Sequence, residues 1–474
     1  VIDKVLGSFL PDGAVLVDGD LRIASGTWSY RTVDLTHVFR GDFTIDTSGL
    51  WEDHTAGGAV RFEGGGVQAF ADRSSGHLGN VVVTKTPVDP HLPIRPLTLE
   101  TDLRSLIRGA VTVESGAFAL NGFRCICDGD VTVHAGAYLR VDPGSNLQVG
   151  QGKALVVNGK GRLDLLGTVG RPALVENQGL GKHAFRIMAD GTLGAQYAVI
   201  ADVDTDGLRV ADGAIIDPRL PLNYCSFIRP PSGGTLLQVE NDQLLEIVGA
   251  DFPDKPTLSG YNVGKGLKQG HLTFIASTGA FAGEGYDDDL YERIDWHSGG
   301  LTKVTISGPA AATLGGHYTF EADVAGDLPL IPLTYTWTVT DVPEVVHTLS
   351  GLHDETECSW ATTGTKSLHL RVTNEVSAVE DTYQLSIAEL RISGILTGTV
   401  PGTNQWVLTL SGTSADSHYR IDFRTNMVDG VWAPAAPGGT DVPGEDVQFE
   451  WTDTGGPDRD LDSLPELYYR AVLE

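Results

Sequence analysis

Residues 110–141 read AVTVESGAFALNGFRCICDGDVTVHAGAYLRV and contain one structural unit twice. VTVESGAFAL and VTVHAGAYLRV each combine a short alternating strand, a turn with glycine and a second strand. Val113 and Val133 occupy equivalent places, 20 residues apart. Side chains of an extended chain alternate between two faces, so Val111 and Val113 share one face and Thr112 points the other way. A strand–turn–strand unit that recurs after one coil predicts a stacked β-solenoid.

The repeat continues on the C-terminal side of this stretch. Successive equivalent positions are separated by 20, 24, 30 and 23 residues, and they are Val113, Val133, Val157, Ile187 and Val210. Coils of this size predict a parallel β-helix whose insertions bulge out between strands. Cys125 and Cys127 stand where leucine and valine stand in the flanking units, which predicts that both are buried apolar residues. Cys225 and Cys358 fall in separate predicted domains, so we expect no disulfide framework.

Composition agrees with a folded, all-β protein. The 474 residues suggest about three domains. The chain is 41% apolar and 20% charged, and its 59 glycines suit a turn-rich β protein. The net charge of −29 disfavours nucleic-acid binding, and the absence of an 18-residue apolar stretch predicts no membrane span. The start, VIDKVLGSFL, shows no signal peptide, which fits a processed chain or a piece of a larger one.

The order of these motifs resembles that of bacterial secreted right-handed β-helix repeats over about residues 20–297. The resemblance rests on VRFEGGGVQAF, NVVVTK, LTLETDL, VTVESGAFALNG, DVTVHAGAYLRV and the closing TGAFAGEGYDDD. It implies a right-handed parallel β-helix and extracellular or cell-surface display, and it implies no particular reaction. The acidic and aromatic segment from Tyr286 to Trp296 is expected to cap the open end of the solenoid.

The remaining residues resemble two immunoglobulin-like β-sandwich modules. TYTW, with Trp337 as a core residue, and TTGTKSLHLRVTN resemble a PKD-like module of bacterial surface proteins over 301–390, without the immunoglobulin cysteine pair. Residues 391–474 resemble a fibronectin-III-like module. Its expected core is aromatic and consists of Trp406, Tyr419, Phe423, Trp432 and Tyr469. The predicted domains are therefore 1–297, 301–390 and 391–474.

The best candidate for a metal site is ADVDTDG. Asp202, Asp204 and Asp206, followed by Gly207, match the opening of a Ca²⁺-binding loop, because Ca²⁺ prefers several carboxylate and carbonyl oxygens. Gly213 stands where the loop would need a bidentate acid, so a solvated turn between coils is the alternative. A second candidate is the acidic cluster of Glu284 and 287–289.

No catalytic or cofactor-binding residue is predicted. The sequence lacks HExxH and G-x-S-x-G, and its 13 histidines are scattered. Polysaccharide lyases or glycoside hydrolases on β-helices need clustered carboxylates. That alternative would gain if acids converged with a lysine or arginine in one groove near residues 180–300.

The sequence thus favours an extracellular structural scaffold or filament subunit without catalytic activity. Head-to-tail contacts between copies are expected because solenoid ends and sandwich edges can accept strands, and VIDKVLGSFL is the candidate exchanged strand. An adhesin that binds a glycan or another surface is the first alternative, and exposed aromatic residues of the last module are candidates for sugar stacking. A repeat stalk that only spaces other domains is a further alternative.

Overall fold

The structure is a computed structural model, and its described residues divide into two compact units, Val1–Ser298 and Gly299–Glu474. It describes residues 2–30, 34–53, 57–86, 96–103, 106–257, 260–397, 405–413, 418–424, 431–435, 442–443, 447–454 and 468–473. In these ranges the regular elements are strands and one 3₁₀ helix, Glu284–Tyr286. The all-β prediction is confirmed. No helix in the described part of the chain is long and apolar enough to cross a membrane.

The first unit is a β-solenoid of about eleven turns. Its strands are β1 (Ile2–Phe9), β2 (Leu16–Val17), β3 (Leu21–Tyr30), β4 (Thr36–Phe39), β5 (Phe43–Asp53), β6 (Ala59–Gly64), β7 (Gln68–Asp72), β8 (His77–Leu78), β9 (Asn80–Lys85), β10 (Leu97–Leu99), β11 (Leu106–Ile107), β12 (Val111–Ala119), β13 (Arg124–Cys127), β14 (Val131–Val133), β15 (Ala137–Val141), β16 (Asn146–Val149), β17 (Ala154–Val157), β18 (Arg162–Leu166), β19 (Ala173–Asn177), β20 (His183–Ile187), β21 (Thr192–Gln196), β22 (Ala198–Ala201), β23 (Val203–Val210), β24 (Ile215–Asn223), β25 (Ser226–Ile228), β26 (Thr235–Val239), β27 (Leu244–Val248), β28 (Tyr261–Gly264), β29 (His271–Ile275), β30 (Asp287–Asp288) and β31 (Ile294–His297).

These strands stack in three parallel rows. Row 1 contains β2, β4, β6, β9, the start of β12, β14, β17, β20, β23, β26, β28 and β30. Row 2 contains the starts of β3 and β5, then β7, β10, the end of β12, β15, β18, β21 and β24, and it continues beside β24 as β27, β29 and β31. Row 3 contains the ends of β3 and β5, then β8, β11, β13, β16, β19, β22 and β25.

The register predicted from the repeat is confirmed residue by residue in row 1. Val113 pairs with Val133, Val133 with Val157, Val157 with Ile187, and Ile187 with Val210. The uneven spacings therefore reflect loops of different length between strands that keep one register. Because a slip of one residue would turn every inward side chain outward, burial of the apolar positions enforces this register.

Inward-facing apolar residues fill the interior of the solenoid. β14 and β15 alternate strictly between buried and partly exposed positions, as the side-chain period of two requires. Each fully buried valine or leucine stabilises the fold by about 1.5–3 kcal/mol. Cys125 and Cys127 lie in this core with no exposed surface, which confirms their predicted role. Burial raises the pKa of both thiols, that of Cys127 to about 12.

Close backbone contact shapes the corner between row 3 and row 1. Gly109, Gly129 and Gly150 follow row 3 strands of successive coils. A Cβ on Gly129 would lie 2.2 Å from the carbonyl oxygen of Gly109, and one on Gly150 would lie 2.1 Å from the carbonyl oxygen of Asp128. The coils stack at their normal spacing there because these residues lack side chains.

The segment predicted to cap the solenoid contributes its last two paired strands. β30 pairs with β28, and β31 pairs with β29. The Trp296 ring stacks on Phe274 with centroids 4.3 Å apart, and its indole N–H donates to the Asp287 carboxylate at 2.6 Å. Burial raises the pKa of Asp287 to about 6. Nearby, the Asp289 carboxylate accepts the backbone N–H of Ile294 at 2.6 Å, so it holds a turn.

The second unit begins with two sheets. Its strands are β32 (Leu301–Ser307), β33 (Ala311–Thr313), β34 (His317–Gly326), β35 (Leu333–Val339), β36 (Val345–Leu349), β37 (His353–Ser359), β38 (Gly364–Thr373) and β39 (Ala378–Ala388). One sheet has the order β32-β34-β37, and the other has the order β33-β39-β38-β35-β36. Trp337 is fully buried between them and donates to Asp354 at 2.8 Å, which confirms it as a core residue. Cys358, like Cys225 in the solenoid, is buried and free.

A separate hydrophobic cluster lies near the C-terminus. Its strands are β40 (Arg391–Thr397), β41 (Trp406–Thr413), β42 (His418–Arg424), β43 (Ala433–Pro434), β44 (Val442–Pro443), β45 (Val447–Asp453) and β46 (Tyr468–Leu473). Tyr419 and Phe423 are buried as predicted, whereas Trp406, Trp432 and Tyr469 are half-buried. The guanidinium groups of Arg424 and Arg470 lie 4.4 and 4.7 Å from the centroid of the Trp432 ring. This cation–π contact satisfies its exposed faces.

The corner packing leads to a stability prediction. We expect Gly129→Ala to lower the free energy of unfolding of the solenoid by about 1–3 kcal/mol, because the new methyl group overlaps backbone that has no room to move. Gly66→Ala is the matched control, since a Cβ on the exposed Gly66 has no atom within 4 Å. Urea titration followed by circular dichroism measures both. Equal stabilities of the two variants would contradict the corner packing.

The terminal coil leads to a pH prediction. The folded state raises the pKa of Asp287, so it favours the protonated carboxyl, and the resulting stability is present below about pH 4 and is lost as the pH rises through about 6. We expect Asp287→Asn to remove this dependence, so that the variant gains melting temperature relative to the parent at pH 7 and not at pH 4. An equal difference in melting temperature between the variant and the parent at pH 4 and at pH 7 would contradict this prediction.

Candidate functional site

The outward face of row 2 carries a network of charged side chains that spans several coils. The Tyr138 hydroxyl donates to Asp164 at 2.7 Å, and Arg162 lies 2.9 Å from the same carboxylate. Arg162 also donates to Asp217 at 2.6 Å, although 55 residues separate the two in sequence. Burial, followed by the bond to Asp164, raises the pKa of Tyr138. These groups bind one another and so join the coils to which they belong.

A bulge in β24 interrupts the regular face next to this network. Ile216 pairs with Leu193 and Pro221 pairs with Ala195, so residues 217–220 stand opposite Gly194 alone. A Cβ at Gly194 would lie 2.7 Å from Asp164 Oδ1 and 2.9 Å from Leu220 Cδ1, so a larger residue there would push both side chains aside. Bulges of this kind redirect side chains away from the sheet.

The bulge borders a cavity of about 610 Å³ on the face of the following coils. Pro218 lies in the bulge and Pro221 directly follows it, and Leu244 of β27 is exposed over 81% of its surface. Strand alternation turns Leu244 outward because Leu245 and Ile247 occupy the core. A large apolar side chain therefore faces water next to a rigid proline-flanked wall.

Three ionisable side chains face the same cavity: Arg219 from the bulge, Glu246 from β27 and His271 from β29. The His271 ring lies 2.7 Å from the Asp295 carboxylate. Arg219 and Glu246 make no ion pair within 4 Å with any part of the chain that the structure describes. The pKa of Asp217, beside the cavity, is lowered first by the backbone N–H of Arg219 and then by Arg162.

The three aspartates predicted to bind Ca²⁺ lie in β23 of row 1 or directly before it, and each has a basic partner. Arg186 donates to Asp204 at 2.7 Å and to Asp206 at 3.0 Å. Asp204 and Asp206 stand in β23. Asp202 precedes that strand in a left-handed backbone conformation, with a φ of 58°. The structure therefore brings Asp204 and Asp206 together on one guanidinium and directs Asp202 elsewhere.

Asp202 belongs to a second network, on row 3. Arg229 donates to Asp202 at 2.7 Å and to Glu176 at 2.6 Å, so it joins three successive coils. Asn146 and Gln148 each donate to Glu176 at 2.8 Å. Burial opposes ionisation of Glu176, but these donors and Arg229 outweigh it and hold its pKa below the usual range.

No group of three or more histidine, cysteine, aspartate or glutamate side chains is arranged to hold a metal ion within the residues that the structure describes. In the second acidic cluster, Asp287 accepts from Trp296, and Asp289 closes a turn. The Ca²⁺ sites at Asp202, Asp204 and Asp206 and at this cluster stay predictions, and any ion at the first would have to displace Arg186.

Sequence reasoning did not find Arg219, Glu246 or His271. One available signal was the pair of prolines in DPRLPLN, because proline interrupts a regular strand. Alternation in QLLEIV could also have placed Leu244 outside. Neither pattern reveals that residues from three coils meet at one cavity.

No protein-family model and no curated protein matches this chain.

The aspartate site yields a prediction about Ca²⁺. We expect Arg186→Gln to strengthen Ca²⁺ binding at Asp204 and Asp206, because the substitution removes a competing cation. Each ion pair of this kind contributes about 0.2–1 kcal/mol to stability, which Ca²⁺ would otherwise have to replace. Isothermal titration calorimetry measures the change. Arg209→Gln, an exposed arginine on the next coil of row 1, is the control for net charge. No heat of Ca²⁺ binding in any of the three proteins would contradict the site.

Proposed function

We propose that this chain is an extracellular structural scaffold, in which a right-handed parallel β-helix forms a rod without catalytic activity. One observation carries the proposal: charged side chains on the outer faces bind partners on neighbouring coils. Arg229 joins Glu176 and Asp202, and Arg61 donates to Glu114 at 2.7 Å across 53 residues of sequence. A catalytic groove needs groups that are free to meet a substrate, whereas a rod benefits from coils that are tied together.

The two C-terminal modules are proposed to be a PKD-like and a fibronectin-III-like β-sandwich. The sheet orders β32-β34-β37 and β33-β39-β38-β35-β36 support the first, because a buried tryptophan between two such sheets is typical of immunoglobulin-like folds. Separate hydrophobic cores within 301–387 and 408–451 support a boundary near residue 390. Extracellular location follows from the resemblance to bacterial surface proteins.

Self-assembly through strand edges is part of the same proposal. β1, the segment predicted to exchange between copies, pairs in parallel with β3 of its own chain and with no other described strand. We propose that the other edge of β1 accepts a strand from a second copy, and a head-to-tail contact that does not close makes a filament.

A binding protein is the second candidate function, and the cavity beside β24 is the observation that favours it. The cavity combines a cation, an anion and an apolar surface in one concave site, as ligand sites generally do. The same convergence keeps a carbohydrate-active enzyme as an alternative, with Glu246 and His271 as the groups to test.

Assembly leads to a direct test of the scaffold. We expect filaments in negative-stain images of the full chain, and we expect Ser8→Lys to abolish them, because lysine on an edge strand opposes pairing. Ser8 is exposed on β1. Ser48→Lys is the matched control, since Ser48 is also exposed but lies in β5, which is paired on both sides. Monomers alone, over a range of protein and Ca²⁺ concentrations, would contradict self-assembly.

A further inference from the structure

The cavity beside β24 brings together two charged side chains that form no ion pair. On rows 1, 2 and 3, arginines such as Arg186, Arg162 and Arg229 bind carboxylates of neighbouring coils. Arg219 and Glu246 both face the cavity, carry opposite charges and yet make no ion pair within 4 Å among the described residues. Two unpaired charges of opposite sign are therefore presented to one ligand space.

The apolar part of the cavity also restricts which ligands fit. Leu244 is largely exposed, and Val248 of the same strand also lines the cavity. Pro218 and Pro221 fix the backbone of the wall opposite, because the proline ring locks φ. Covering Leu244 with an aliphatic group would favour binding by removing its apolar surface from water, and the rigid wall limits the entropy lost on binding.

The chemistry of these walls points to one class of ligand. We propose that the cavity binds a small zwitterionic ligand with an aliphatic body, such as a dipeptide, with its carboxylate on Arg219, its ammonium on Glu246 and its side chain on Leu244. Arginine binds carboxylates through two parallel N–H donors, and glutamate accepts from ammonium. A volume of about 610 Å³ lies within the range of small-molecule sites.

Other ligand classes fit less well. A sugar ring usually packs its CH face on an aromatic side chain, and none of the described residues around this cavity is phenylalanine, tyrosine or tryptophan. A phosphate would meet one arginine and the repulsion of Glu246. A metal ion would find the His271 ring already bound to Asp295. An acidic sugar is therefore kept as the competing outcome of the test.

Capped ligands separate the two charge contacts. The probes are Leu-Leu, N-acetyl-Leu-Leu, which has no ammonium, and Leu-Leu-amide, which has no carboxylate. We expect calorimetry or ligand-observed NMR at pH 7 to show saturable millimolar binding of Leu-Leu, and we expect each cap to weaken it about fivefold, the size of one exposed ion pair. Gly-Gly should bind more weakly because it lacks the aliphatic body.

Variants assign each contact to its residue. Arg219→Gln should weaken Leu-Leu and N-acetyl-Leu-Leu but leave Leu-Leu-amide unchanged, and Glu246→Gln should give the opposite pattern. Arg108→Gln and Glu100→Gln, exposed residues on earlier coils, are the matched controls and should change nothing. Leu244→Ser should weaken every leucine-containing probe. Circular dichroism melts of all variants confirm that the solenoid is intact.

Three results would overturn the proposal: no saturable binding of Leu-Leu at millimolar concentrations, equal binding of the capped and uncapped dipeptides, or binding of glucuronate in place of Leu-Leu. The test is independent of the scaffold proposal, because the Ser8→Lys variant can be used to measure binding without assembly. If the full chain forms no filaments but binds Leu-Leu, the scaffold proposal fails and the cavity proposal stands. Filaments without binding of Leu-Leu show the reverse.

Discussion

Parallel, in-register pairing between successive coils is the constraint on which the solenoid depends. Each strand finds its hydrogen-bond partners one coil before and one coil after itself, so residues at equivalent positions are forced into contact. Val113, Val133 and Val157 touch for this reason, and burial of their side chains fixes the register that made the contact possible. The corner glycines follow from the same rule, because backbones stacked at strand spacing leave no room for a Cβ at Gly129.

The same constraint organises the outer surface. Equivalent outward positions lie one strand spacing apart, so a charged residue on one coil is within reach of carboxylates on the next. Arg162 and Arg229 each bind acids from more than one coil. Individually, such partly exposed pairs contribute little stability, but their repetition ties coils together along the stack. In a chain with a net charge of −29, these arginines offset repulsion between the carboxylates that they join.

Departures from the repeat create the features that distinguish this solenoid from a regular one. The bulge of residues 217–220 stands opposite Gly194 on the preceding coil, where Asp164 and Leu220 occupy the space that a side chain would need. Arg219 is thereby carried away from the row of paired charges and towards Glu246 and Leu244 of the next coil. The cavity therefore lies where the regular pairing of row 2 is interrupted.

The sequence by itself determined the all-β solenoid, the register of its row 1 ladder, and the burial of Cys125, Cys127 and Trp337. These features depend on alternation and on repeat spacing, which are local and can be counted along the chain. Only the tertiary structure decided which charges meet. Asp202, Asp204 and Asp206 stand at alternate positions of one short segment, yet they bind arginines of two separate networks. Asp204 and Asp206 bind Arg186, and Asp202 binds Arg229. Arg219, Glu246 and His271 are up to 52 residues apart in sequence and still share a cavity. Loops of unequal length set which coil positions coincide, and alternation along one strand does not reveal which residues of the next coils lie beside it.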